Sequence, residues 1–317
     1  MRILANDGID AAGKKLLESA GFTISTDKIP QSELASKIAD YDIIIVRSAT
    51  KVTAEVMDAG NLKLIARAGV GLDNIDLKHA GIKNIPVVNT PNASSRSVAE
   101  LVFAHVFNLL RYVQISNRVM PAEGDTRFNE LKKLASAGSE VAGKKLGIIG
   151  FGRIGQEVAR MAVGLGMEVL IYDYKQREFD LTITFHRNYQ IKNFSLKLAG
   201  VTMGELLGNC DIVTIHTPGS TEVISEAEIN QMKEGAILIN CARGGVVNER
   251  AMTAALQSGK LFAAGVDVFE QEPPVYKEFL NFNNVSLSPH IGASTAEAQE
   301  RVGVELAERI LAFFKPN

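Results

Sequence analysis

The sequence predicts an α/β protein of two doubly wound parallel-sheet domains. Three observations lead to it. The first ninety residues alternate short apolar runs with helical patterns, and a second series of the same kind begins near Lys145. Alternation of this type builds βαβ units around a parallel sheet. The Gly-rich stretch GIIGFGRIG occupies residues 147–155, near the middle of a chain of 317 residues. That length suffices for two domains of ordinary size.

In the first series, Arg2–Ala5, Phe22–Thr26, Ile43–Val46, Leu64–Ala66 and Val87–Asn89 read as strands. Asp10–Ala20, ended by Gly21, and Gln31–Ala39 read as helices, and Thr53 is placed to cap another. A long helix is expected over Ser97–Met120, with Ser97 and Glu100 at capping-box spacing. Pro121–Gly143 is polar and irregular and reads as a loop with a short helix. The second series runs through strands at Lys145–Ile149, Glu168–Tyr172, Asp211–His216, Ala236–Asn240, Ala263–Val268 and Val285–Leu287. Ile154–Gly164 is a helix, and Ala293–Phe314 an amphipathic one. The segment between Asp173 and Gly200 reads either as a hairpin or as a mobile loop.

Apolar residues make up 46% of the chain and charged residues 22%, as in a soluble globular protein. The formal net charge of −2 supplies no basic field for nucleic acid, although a few local arginines can hold a small anion. Two cysteines, Cys210 and Cys241, imply no disulfide framework and fit a reducing cytosol. The apolar runs are strand-length, too short for a bilayer, and the chain opens directly on a strand-like MRIL. A cytoplasmic protein without metal, membrane or nucleic-acid partner is the expectation.

GIIGFGRIG has the context that a lone G-x-G-x-x-G lacks: a strand before it and a helical pattern after it. Gly150 allows the tight turn, Gly152 lets a pyrophosphate approach the backbone, and Gly155 lets helix and strand pack closely. Arg153 and Ile154 open the helix whose free N–H groups would face the phosphates. Asp173, eighteen residues past Gly155, is positioned to accept from ribose hydroxyls. It favours NAD over NADP, with Lys175 and Arg177 near enough to weaken that preference. A methionine-derived methyl donor is the other ligand such a turn takes, and the third glycine argues against it.

Three polar residues follow the carboxyl ends of later strands, where open α/β sheets bind ligands: Arg243 in NCARGGVV, Glu272 in GVDVFEQEPP and His290 in SPHIGAST. Oxidising an alcohol removes a hydride to nicotinamide and a proton to a base. His290 suits the base, a carboxylate such as Glu272 would orient it, and the Arg243 guanidinium fits a substrate carboxylate. Asp267 is either an acceptor for the nicotinamide carboxamide or a strand-end cap. Cys241 reads as a small buried filler rather than a nucleophile.

GFGRIG with Asp173, NCARGG, GVDVFEQEP and SPHIGAST together resemble the D-isomer-specific 2-hydroxyacid dehydrogenases, over nearly the whole chain. The resemblance implies a Rossmann NAD domain, residues 96–290, inserted in a flavodoxin-like substrate domain of residues 1–95 plus 291–317. It implies Arg243, Glu272 and His290 as the catalytic set. His216, Thr217, Pro218, Cys241, Ala242, Asp267 and Gly292 are implied as further cofactor neighbours, and a homodimer built on the Ser97–Met120 helix as the assembly. The stretches VRSATKVTAEVM, ARAGVGLDNIDL and NTPNASSRSVAEL resemble the 3-phosphoglycerate dehydrogenase branch. Carried over, Arg47, Ser48 and Arg67 would meet the substrate phosphate or carboxylate, with the Gly69, Val70 and Gly71 backbone alongside. NAD-dependent oxidation of 3-phosphoglycerate to 3-phosphohydroxypyruvate, in serine biosynthesis, is then the expected reaction. The alternatives are glyoxylate/hydroxypyruvate reductase, D-lactate dehydrogenase, or an NAD-sensing corepressor that binds protein partners. The chain ends soon after its last helix, so serine feedback through an added domain is not expected. The segment after Asp173 is longer than the family's usual one, which bears on cofactor preference.

Overall fold

The structure, a computed structural model, describes residues 1–175, 178–184 and 193–314. The chain divides into two units. One is Met1–Ser97 with the segment from Ala293 onward, and the other is Val98–Gly292.

The first unit holds strands β1 (Arg2–Ala5), β2 (Thr23–Ser25), β3 (Ile43–Val46), β4 (Leu64–Arg67) and β5 (Val87–Asn89). They pair in parallel in the order β2-β1-β3-β4-β5, the flavodoxin-like order. Period-two alternation splits their side chains between two cores. Leu4, Ile44, Val46 and Ile65 face one side, and Ile3, Ala5, Ile43, Ile45, Leu64 and Ala66 the other. Each fully buried isoleucine stabilises the fold by roughly 1.5–3 kcal/mol. Helices α1 (Ala11–Ser19), α2 (Gln31–Lys37), α3 (Ala54–Ala59) and α4 (Leu77–Ile82) connect the strands. Asp10, Thr53 and Asp76 cap three of them, accepting from the amides of Ala12, Val56 and His79.

The second unit begins within α5 (Ser95–Leu110), which is followed by α6 (Val113–Ala135). Strands β6 (Lys145–Ile149), β7 (Glu168–Tyr172), β10 (Ile212–Ile215), β11 (Ala236–Asn240), β12 (Leu261–Val266) and β13 (Val285–Leu287) form a parallel sheet ordered β13-β12-β11-β10-β6-β7. This is a Rossmann arrangement whose third strand is reduced to one bridge, Gly200 against Ile171, at the β7 edge. Its helices are α7 (Arg153–Gly164), α8 (Met203–Asn209), α9 (Glu226–Gln231) and α10 (Glu249–Ser258). Between β7 and α8 an antiparallel hairpin, β8 (Glu178–Thr184) with β9 (Asn193–Ala199), resolves the ambiguous segment as a hairpin over its described residues. Arg177 lies outside the described residues. Among the described residues no single helix is long and apolar enough to cross a membrane.

The expectation of one helix over Ser97–Met120 and then a loop with a short helix over Pro121–Gly143 is corrected. The helix starts two residues earlier, so Ser97 lies inside its first turn and is not the cap. Tyr112, at φ 55°, breaks α5 from α6. α6 then runs straight through Pro121 to Ala135. Proline removes one helical bond and strains the turn before it. Here Asn117, whose carbonyl loses its partner, and Pro121 are both exposed, on a face where water can reach the chain. Good helix formers after Pro121, and Lys132 and Lys133 at the negative end of the dipole, carry the helix on.

Helix α11 (Ala296–Phe314) closes the first unit by packing on α1. Gly13 and Gly303 let the two backbones touch, because a Cβ at Gly13 would strike the Gly303 carbonyl. Gly13→Val is expected to destabilise this unit by about 2 kcal/mol through overpacking. A urea melt should show an earlier midpoint, and an unchanged midpoint would show that the close crossing is not required.

Candidate active site

The residues singled out from the sequence sit at the carboxyl ends of parallel strands, in the loops that follow them, or, for Arg153, Ile154 and Gly155, in the first turn of α7. In the second unit the strand order reverses between β6 and β10, the switch point at which such sheets bind ligands. Gly150 ends β6 at φ 91°, and a Cβ there would lie 2.8 Å from the His216 carbonyl at the end of β10. Gly155 sits directly under the turn, where a Cβ would strike the Gly150 carbonyl. At Gly152, which caps α7, an added Cβ would point into open space. Arg153 is exposed and Ile154 half-buried in the first turn of α7. The glycines therefore leave a free helix N-terminus facing an open cradle, which suits a pyrophosphate.

Two buried polar atoms beside this cradle, His216 Nδ1 and Thr217 Oγ1, have no protein partner. Buried donors and acceptors are nearly always paired, so both fit a bound dinucleotide. Burial lowers the pKa of His216 to about 3, so its imidazole is neutral. Its Nε2 lies 3.0 Å from Thr214 Oγ1. Pro218 is exposed on the rim. Asp173 holds the turn itself, accepting from Phe151 N at 2.9 Å and from Lys175 N at 2.8 Å. Phe179 of the hairpin packs its ring 4.7 Å from that of Phe151, so the added hairpin braces the same turn.

The loops after β11, β12 and β13 converge. Asn240 shapes the first, accepting from Ala242 N at 3.1 Å and donating to the Arg243 carbonyl at 3.1 Å. Arg243 Nη1 donates to the Ala242 carbonyl at 2.7 Å. Gly244 presses this loop on the next, where a Cβ would collide with the Phe269 carbonyl. Three residues on, Glu272 accepts from Phe269 N at 3.3 Å through one oxygen. Its other oxygen lies 2.7 Å from His290 Nδ1. An ionised carboxylate only accepts, so Nδ1–H is the donor of this pair, and in the neutral imidazole Nε2 is then the nitrogen with the lone pair. His290 adopts φ 54°, a conformation that costs a non-glycine residue of order 1 kcal/mol and persists only where its surroundings impose it.

Asp267 is what imposes it. Only 1% exposed, this carboxylate accepts from Ser288 Oγ at 2.6 Å, Ile291 N at 2.8 Å and Gly292 N at 3.0 Å, while its own carbonyl accepts from His290 N at 2.8 Å. These bonds hold the loop after β13 against the end of β12. Cys241 and Ala242 are buried, and desolvation pushes the Cys241 thiol well up, as befits a filler rather than a nucleophile.

In the first unit the switch point lies between β1 and β3. Asp7, which the sequence reading missed, organises the loop after β3. It accepts from Arg47 N at 2.8 Å, Thr50 N at 3.0 Å and Thr50 Oγ1 at 2.7 Å. Asn74 adds bonds to the Arg47 and Thr50 carbonyls. A polar Asn6-Asp7-Gly8 directly after the apolar run of β1 was the available signal for Asp7, whereas nothing local marked Asn74. A recess of about 370 Å³ results, lined by Asn6, Asp7, Gly8, Lys28, Arg47 and Ser48 among others. Both Asp7 oxygens accept from the loop, and the Lys28 and Arg47 cations and the Ser48 hydroxyl line the same recess. Arg67 ends β4 with its guanidinium against Gly69, whose φ of 148° is one that residues with a side chain rarely adopt. Asn89 Nδ2 ties the Gly69-Val70-Gly71 turn by donating to the Val70 carbonyl at 2.6 Å.

Comparison with known proteins agrees with this geometry. The family described as D-isomer specific 2-hydroxyacid dehydrogenase, NAD binding domain, matches residues 103–292. The hydroxypyruvate reductase of Thermotoga maritima is 41% identical, over 98% of this chain and 97% of its own. The D-3-phosphoglycerate dehydrogenase of Methanocaldococcus jannaschii is 39% identical over 98% of this chain, which spans only 57% of that protein. A crystal structure of NAD+-bound 3-phosphoglycerate dehydrogenase from Entamoeba histolytica superposes with a TM-score of 0.76 at 25% identity, covering 99% of this chain and 95% of that one. The chain belongs to the D-isomer-specific 2-hydroxyacid dehydrogenase family, NAD-dependent oxidoreductases of small 2-hydroxy acids.

Proposed function

We propose that the protein oxidises 3-phosphoglycerate to 3-phosphohydroxypyruvate, with Arg243, Glu272 and His290 as its catalytic residues. NAD held at the turn of Gly150, Gly152 and Gly155 would supply the acceptor for the hydride that leaves C2 of the substrate. The chain's own part is the proton and the orientation. His290 Nε2 takes the hydroxyl proton, since Nδ1–H is committed to Glu272. Glu272 holds the ring in that tautomer and offsets the charge of the imidazolium that forms. Arg243 grips the substrate carboxylate as a planar fork. In the reductive direction the same imidazolium returns its proton to the carbonyl oxygen.

The single observation that supports a phosphorylated substrate is the recess around Arg47, with Ser48 and Lys28 on its wall and the Asp7 carboxylate turned to the backbone. Arg67, with the backbone of Gly69, Val70 and Gly71, supplies the neighbouring anion contacts. A second reading, reduction of hydroxypyruvate, draws support from the Thermotoga maritima relative, which this chain matches over 97% of its length. A homodimer through α5 and α6 is also proposed. Phe107, Val113, Met120 and Phe128 on these helices are large apolar side chains left exposed.

Light scattering should give twice the chain mass, and a monomer mass would remove the dimer. Arg47→Ala should raise KM for 3-phosphoglycerate about tenfold or more, the weight of one charge-assisted contact, and leave KM for an unphosphorylated 2-hydroxy acid nearly unchanged. Equal effects on both substrates would overturn the phosphate assignment. His290→Ala should lower kcat by about 10²–10⁴ while NADH still binds. Substantial residual turnover would remove His290 as the base.

A further inference from the structure

His105, on α5, is 3% exposed, and burial lowers its pKa, so it is neutral. Its Nδ1 lies 2.8 Å from Ser286 Oγ and its Nε2 3.0 Å from Ser288 Oγ. Proton accounting fixes the direction of every bond around it. Ser288 gives its one hydroxyl proton to Asp267, which as a carboxylate can only accept. Ser288 Oγ must then accept from His105, so Nε2 carries the proton and Nδ1 is an acceptor. Ser286 donates to that Nδ1 and itself accepts from Asn108 Nδ2 at 3.0 Å. The donors therefore run one way, from Asn108 through Ser286, His105 and Ser288, and end on the Asp267 carboxylate. Bonds aligned in this way polarise one another.

The sheet is built to admit this ring. Gly265 of β12 faces it, and a Cβ there would lie 2.8 Å from the His105 Cβ. The far end of the relay is the loop that carries His290, since Asp267 accepts from Ile291 N and Gly292 N, and its carbonyl from His290 N. An aliphatic residue would fill the His105 site equally well as core packing. It would leave Ser288 without its donor and free to turn from Asp267.

We propose that His105 is a positioning residue for the reaction: through Ser288 and Asp267 it holds His290 at its left-handed backbone conformation and against Glu272. The inference rests on the reading of His290 as the base. The test is carried out on full-length protein with NADH and 3-phosphohydroxypyruvate or hydroxypyruvate, whichever turns over. His105→Met keeps the bulk and removes both bonds. It should lower kcat about tenfold, the effect of a small misplacement of a catalytic group, and leave the NADH dissociation constant within about twofold. Ser288→Ala cuts the same relay one step nearer and should lose as much. The double variant should be no worse than the weaker single, because both act through one path. His105→Gln, which offers an N–H donor again, should recover most of kcat.

An unchanged kcat in folded His105→Met, additive losses in the double variant, or a parallel loss of NADH affinity would each overturn the proposal. If His105→Met does not fold, Ser288→Ala and His105→Gln carry the test alone, and wild-type kcat in Ser288→Ala overturns it. Failure of the underlying reading looks different, because His290→Ala would then keep its turnover.

Discussion

A carboxylate sealed from water is stable only when hydrogen-bond donors meet its charge. Asp267 is such a group, and the geometry of the second unit's active edge follows from satisfying it. A surface ion pair contributes about 0–1 kcal/mol, whereas each hydrogen bond to a charged acceptor contributes about 1.5–3 kcal/mol. Three donors on one buried carboxylate therefore outweigh the cost of the strained backbone at His290. The strain is local, and its effect is to turn the imidazole toward Glu272. The bonds to Asp267 fix the backbone from Ser288 to Gly292, and His290 is carried on it.

The same logic of engaged acceptors recurs in the first unit. Asp7 is turned to the backbone and hydroxyl of the Arg47–Thr50 loop, and so fixes the wall of the recess that Arg47, Ser48 and Lys28 also line. Asp173 is drawn into the Gly-rich turn by Phe151 and Lys175. In all three places an acid at a strand end shapes the backbone on which a cation, an imidazole or a free amide is carried.

Much of this was legible in the sequence because the signals were local. Continuous apolar runs such as Ile43–Val46 read as buried parallel strands, and GFGRIG with its flanking strand and helix specified the turn. Arg243, Glu272 and His290 were visible as polar residues just past strand ends. The break at Tyr112 was not visible, since a left-handed residue there follows from packing and not from residue type. The passage of α6 through Pro121 was missed because proline's local preference was overridden on an exposed face where the lost bond can be hydrated. The relay through His105, Ser286 and Ser288 joins residues 181 and 183 positions apart, and no spacing rule reaches that far.

Substrate choice is directly measurable in the unmodified enzyme. With saturating NADH, kcat/KM is compared for 3-phosphohydroxypyruvate and hydroxypyruvate, which differ only in the phosphoryl group. If the Arg47 recess receives that group, the phosphorylated acid is favoured by about tenfold or more, as one charge-assisted contact would give. Equal values, or a preference for hydroxypyruvate, would contradict it.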